Sequence, residues 1–246
     1  MRKLLLVCTG MILTVISQAQ MSVSDSIKKH YQKTYQQGID YNDVTVVINS
    51  LQNIIAETPE REAVVLKDTL SMLYFASKSY YSSLLLAKEV CKASPSNLNA
   101  RARVAECNQY LGEIKDAIAD YEVVAPQLKN PYYYYQLAAC QYGLKRISEC
   151  ETNIRKVLAD TNSNKVGITF TLPNGNEQQV PANAAVLNMA AVIKMDAKNF
   201  AEAKQYLENA LKIYPEFDGA RQNLNYCNDS LKGGKPAAAG KPKGKG

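Results

Sequence analysis

The sequence predicts an all-α fold: a solenoid of about five stacked helix pairs plus a C-terminal capping helix, with a short β-hairpin insertion before the last pair. Three observations carry this. The stretch Leu187–Pro215 reads as two helices, the first running to about Met195 and the second from about Ala201 to Tyr214. Small residues (Ala190, Ala191, Ala203, Ala210) stand where the two would touch, and Leu187, Phe200, Leu207 and Leu211 fill the space around them. The same spacing of small and large residues recurs upstream at intervals of about 34 residues. After Pro215, which has no N–H to continue a helix, a further helical stretch (218–231) has one narrow apolar face and one polar face, as a solubilising cap does.

This 34-residue helix–turn–helix pattern resembles the tetratricopeptide repeat. Leu187, Ala191, Phe200, Ala203, Leu207, Ala210 and Pro215 stand at seven of that family's signature spacings. The resemblance implies a right-handed α-α superhelix. Sliding the template along the chain places units near 27–61, 64–97, 98–130, 131–164 and 184–217, with the cap at 218–231, so that the solenoid spans 20–231. The earliest unit is degenerate, carrying Tyr31, Tyr35, Val44, Val47, Leu51, Ile54 and Pro59. In the third, Leu111-Gly112 makes the turn between helices, because glycine accepts the left-handed backbone of a helix end. Pro126 is expected to end that unit's second helix.

From 131 to 184 the interval is longer than one period, and the surplus is 165–183. There Val166, Ile168, Phe170 and Leu172 alternate with Gly167, Thr169, Thr171 and Pro173, which is strand periodicity, and Asn174-Gly175 is a hairpin turn signal. Two strands alone are marginal in water, so the Ile168/Phe170 face should pack on the helices. The alternative is a loop, since the second arm is polar.

Residues 1–19 read as a signal peptide. Arg2 and Lys3 precede an apolar run, Leu4 to Ile16, and Ser17-Gln18-Ala19 supplies the small residues of a cleavage site. The run is shorter than the ~20 residues of a membrane-spanning helix. Export to the periplasm or outer envelope of a Gram-negative bacterium is the expected location. The tail 232–246 is built of Lys, Gly, Pro and Ala and is expected to be disordered. Of 29 basic residues, two lie in 1–19 and five in the tail, so 22 face 23 acidic residues in the body. A near-neutral body argues against a nucleic-acid-binding face.

The sequence holds no catalytic constellation. His30 is the single histidine, which excludes two-histidine metal sites. Phosphate-binding loops, dinucleotide fingerprints and nucleophile elbows are missing as motifs. The expectation is a non-enzymatic chain without metal or cofactor. After residues 1–19 five cysteines follow: Cys91, Cys107, Cys140, Cys150 and Cys227. Cys107, Cys140 and Cys227 repeat one core-facing place, where a free cysteine serves as a small hydrophobe. Cys140 and Cys150 face each other across one helix pair and form a candidate disulfide.

The resemblance implies that the inner faces of the first helices line a concave groove for extended peptides or partner helices. By register the groove positions are Met72 and Phe75; Glu106, Gln109 and Tyr110; Tyr132, Tyr135 and Tyr142; Asn188, Val192 and Met195; Gln222 and Tyr226. Tyrosine supplies rigid contact area with a polar tip and is enriched in binding sites. The alternative is that these rings serve packing between repeats. The carboxylate clamp of chaperone-tail binders is missing, since Asp68, Ala102, Glu106 and Tyr135 stand at its places. The function expected is a protein-interaction scaffold binding a peptide or partner protein. The alternative is a module for a glycan or anionic polymer assisted by the basic tail.

Overall fold

The computed structural model describes residues 23–233. The expected signal peptide and all but the first two residues of the tail lie outside the described residues. Helix α1 covers 23–40. It is followed by α2 (Val44–Ala56), α3 (Glu60–Ala76), α4 (Tyr80–Ala93), α5 (Leu98–Tyr110), α6 (Ile114–Leu128), α7 (Pro131–Gly143) and α8 (Ile147–Ala159). Strands β1 (Gly167–Thr171) and β2 (Glu177–Pro181) come next, then α9 (Ala182–Asp196), α10 (Phe200–Ile213) and α11 (Asp218–Leu231). The fold is the all-α helix-pair solenoid with a β-hairpin insertion that the repeat spacing predicts. The chain divides into two compact units, one ending at Arg103 and the other beginning at Val104.

One turn geometry joins the two helices of every pair. Asn42, Lys78, Gly112, Lys145 and Lys198 all have positive φ, between 54 and 85°. In each case the next residue's N–H reaches back five positions: Asp43 to Gly38, Ser79 to Tyr74, Glu113 to Asn108, Arg146 to Gln141 and Asn199 to Lys194, at 2.8–2.9 Å. This is the Schellman closure, in which a left-handed residue lets the chain satisfy helix-end carbonyls. Only Gly112 announces it in the sequence.

In the first unit the core is Val47, Leu51 and Ile54 of α2, Ala63 and Leu70 of α3, and Leu84, Ala87 and Val90 of α4. Asp43 starts α2 by accepting from the N–H groups of Thr45 and Val46. Where α3 meets α4, two buried serines interlock. Ser71 Oγ donates to the carbonyl of Ser83 at 2.9 Å, and Ser83 Oγ donates to the carbonyl of Ser71 at 2.8 Å.

In the second unit α7, α9 and α11 neighbour one another in sequence order, α7 and α9 backed by α8 and α10, and α11 closing the row against α10 and α9. A single large core runs through them, from Ala138, Cys150 and Ile154 to Val186, Ala191, Leu207 and Cys227. A second cluster joins Ala105, Ile118, Tyr121 and Leu137. Pro126 does not end α6, which continues to Leu128 and closes on left-handed Lys129. The missing N–H falls in the last turn and costs one intrahelical bond, which the chain tolerates there. Asn130 then caps α7 by accepting from the Tyr132 N–H, with Pro131 in the first helical position.

The hairpin pairs Ile168 with Val180 and Phe170 with Gln178, antiparallel. Its turn uses three residues, Pro173-Asn174-Gly175, between the bonds Gly175 N–H to Leu172 O (2.9 Å) and Leu172 N–H to Asn176 O (2.8 Å), with Gly175 left-handed at φ +85°. Ile168 and Val180 are buried, and Phe170 packs its ring on Phe217 at 5.0 Å. The polar second arm has a structural reason. Gln178 donates to the Glu216 carbonyl at 2.6 Å and accepts from the Asp218 N–H at 3.4 Å, fastening the hairpin to the start of α11.

Candidate partner-binding face

In the second unit the first helices present one face residue by residue, and the hairpin and the helices themselves take up part of it. Tyr135, at a groove position on α7, turns its ring edge onto Phe170 at 6.3 Å. Burial pushes its phenol well above the ordinary value. Asn188 on α9 is also withdrawn. It is buried and accepts from Asn223 Nδ2 at 2.9 Å. Sequence register places both residues in the groove; Asn188 is closed to a ligand and Tyr135 is half-buried against the hairpin, because register alone takes no account of the inserted hairpin or of the next helix.

Upstream, Gln109 accepts from the Tyr121 hydroxyl at 2.7 Å and donates to Gln136 Oε1 at 3.1 Å. Tyr132 is half-buried and its phenol is raised, first by burial and then by the Glu106 carboxylate nearby. Glu106 and Tyr110 flank the same network and are half-buried. Near the C-terminal ends of the helices the face stays more open. Tyr142 donates to Asp196 Oδ2 at 2.7 Å, and the Lys145 ammonium lies 5.0 Å from its ring centre. Val192 and Met195 are half-buried, Tyr226 stacks edge-on with Phe200 at 5.9 Å, and Gln222 is exposed.

In the first unit, considered by itself, Met72 is 50% exposed and Phe75 packs edge-on against Tyr80 at 5.5 Å. The lone histidine, His30, is exposed beside Tyr31.

None of the five described cysteines is in a disulfide. Cys140 packs with Ala105 and Tyr121, whereas Cys150 points its sulfur at Met189 Sδ, 3.7 Å away. The two sit in different clusters, and no bridge joins them. Burial pushes both thiols up to about 12, which leaves them poor nucleophiles. Among the described residues no group of three His, Cys, Asp or Glu is placed to hold a metal ion. No described helix is long and apolar enough to cross a membrane.

No family model matches the chain, and no curated protein matches it in sequence. Solved structures do share its fold. A tetratricopeptide-repeat protein from Parabacteroides merdae ATCC 43184 aligns with a TM-score of 0.64 at 13% identity, over 86% of this chain and 82% of its own. MamA aligns with a TM-score of 0.61 at 13% identity, over 78% of this chain and 94% of its own. YrrB, a TPR protein with an unusual peptide-binding site, aligns with a TM-score of 0.60 at 12% identity, over 78% and 88%. The chain has the tetratricopeptide-repeat fold.

Proposed function

We propose that this protein is a non-enzymatic interaction scaffold of the bacterial cell envelope, and that its first helices hold a peptide or a segment of a partner protein. The observation that carries the reading is the half-open row Tyr142, Val192, Met195 and Tyr226, reached from α7, α9 and α11. Rings and a flexible thioether, with hydroxyl tips at the edge, give the mixed apolar and polar contact that protein recognition uses. The hairpin occupies the neighbouring part of the face through Phe170 and so bounds the site on one side. The likeness to YrrB, itself a peptide-binding repeat protein by its description, supports a peptide as ligand. The envelope location rests on the signal-peptide character of residues 1–19.

Selection of a displayed random-peptide library against the mature chain tests this. Peptides should be recovered, and their affinity should fall about tenfold or more, roughly 1.4 kcal/mol, for Tyr142→Ala or Tyr226→Ala, with the melting temperature nearly unchanged. Selected peptides that bind both variants as tightly as the parent would refute the site.

A further inference from the structure

On the outer side of the second unit, α6 and α8 part to leave a cavity of about 270 Å³ over α7. It shares no residue with the face described above. Its floor is Leu137 and Gln141 of α7, with the Tyr134 ring, and its walls carry charge at opposite ends. At one end stand Glu122 of α6 and Glu149 of α8. The Arg146 guanidinium bridges them, 3.0 Å from Glu122 and in contact with Glu149, so two carboxylates share one cation and a net negative charge remains. At the other end the Lys156 ammonium lies 5.0 Å from the Tyr134 ring centre and donates to Asn153 Oδ1 at 3.3 Å. One hydrogen bond leaves an ammonium with donors to spare.

The floor presents an amide as well. Gln141 is 2% exposed, and its Oε1 accepts from Asn153 Nδ2 at 2.8 Å. Its amide nitrogen is no buried orphan, since Ser230 Oγ alone holds that place among the described residues, and Gln141 lines the open cavity. An amide on the floor of an open cavity can donate to an acceptor placed there. Both amides stand at core-facing spacings of the repeat, where an apolar residue would pack better, and that is the one trace the cleft leaves in the sequence.

We infer that this cleft is a binding site for a short zwitterionic peptide of about three small residues. Its ammonium lies at the Glu122/Glu149 end, its carboxylate at Lys156, and a backbone carbonyl accepts from Gln141. The dimensions agree. Glu149 and Lys156 are seven residues apart on one helix, about 10 Å at ~1.5 Å per residue, and an extended tripeptide spans about 10 Å at ~3.3–3.6 Å per residue. The cavity lies just under the ~300–1,000 Å³ of drug-sized sites, which suits a ligand with small side chains.

Isothermal titration of the whole chain with Ala-Ala-Ala tests the assignment, alongside the same peptide acetylated at its N-terminus and amidated at its C-terminus. The free tripeptide should bind, each blocked form should bind at least tenfold more weakly, and Lys156→Gln and Glu149→Gln should each lose the end they contact. Thus Lys156→Gln should no longer distinguish the amidated peptide from the free one. Tyr142→Ala should leave this binding intact, which separates its failure from failure of the inner-face site. No heat at millimolar peptide, or equal affinity for free and blocked forms, would overturn the proposal, and circular dichroism of each variant establishes that it remains folded.

Discussion

The meeting point of the two helices in a repeat is built from different chemistry in different parts of the molecule. In the α9–α10 pair, Ala191 and Ala203 stand there, both fully buried within the large core. In the α3–α4 pair the same repeat positions hold Ser71 and Ser83, equally buried, each hydroxyl bonded to the other residue's carbonyl. What the fold requires at this place is small volume, since the helix backbones approach closely there. Polarity is tolerated where both hydroxyls find partners, because a satisfied buried polar pair escapes the desolvation cost of an orphaned one.

The alanine-lined region should be the less forgiving of lost volume. Leu207→Ala removes a fully buried side chain from the α10 side of that core and should cost about 2–5 kcal/mol, read as a large fall in melting temperature. A cost below about 1 kcal/mol would show that the two regions do not differ in packing as described.

Alkaline pH should act on the second unit. Burial raises Cys140 and Cys150 from the ordinary thiol value of 9.0 to about 12, and raises the phenols of Tyr121, Tyr132, Tyr135 and Tyr142. The unfolded chain releases these protons first. The stabilisation is therefore complete below about pH 9 and is lost progressively as pH rises through the folded values. Melting temperature followed against pH should fall from about pH 9 upward, with hydrogen exchange accelerating first around α7. A flat profile to pH 11 would contradict the burial of these groups.

The smallest effect belongs to the serine pair. Ser83→Ala alone leaves the Ser71 carbonyl without its hydroxyl donor and should cost about 1 kcal/mol. Ser71→Ala/Ser83→Ala should lose less than the sum of the two single variants, because no hydroxyl then remains to be satisfied and the close contact becomes an alanine seam like that of α9–α10. Additive losses in the chemical denaturation of the single and double variants would break the equivalence of the two regions.

Where a feature is repeated and apolar, it was legible in the sequence. The alternation of small and large residues marked the helix pairs, and Ile168 and Phe170 marked the buried face of the hairpin. The turns were hidden, because Lys78, Lys145 and Lys198 take the left-handed conformation of Gly112 with no compositional sign of it. Pro126 was misleading, since a proline in the last turn of α6 removes one bond without stopping the helix. The inner face was legible in register and not in occupancy. Tyr135 and Asn188 fall at groove spacings, yet Phe170 and Asn223 claim them through contacts long in sequence. The α6–α8 cleft showed only as Gln141 and Asn153, two amides at core-facing spacings.

Chemical-shift mapping of a library-selected peptide on the isotope-labelled protein tests most directly whether the inner face is the partner site. The account predicts that perturbed resonances concentrate on Tyr142, Val192, Met195 and Tyr226, with the α6–α8 cleft silent. Perturbations confined to the outer helices, with that row unmoved, would contradict it.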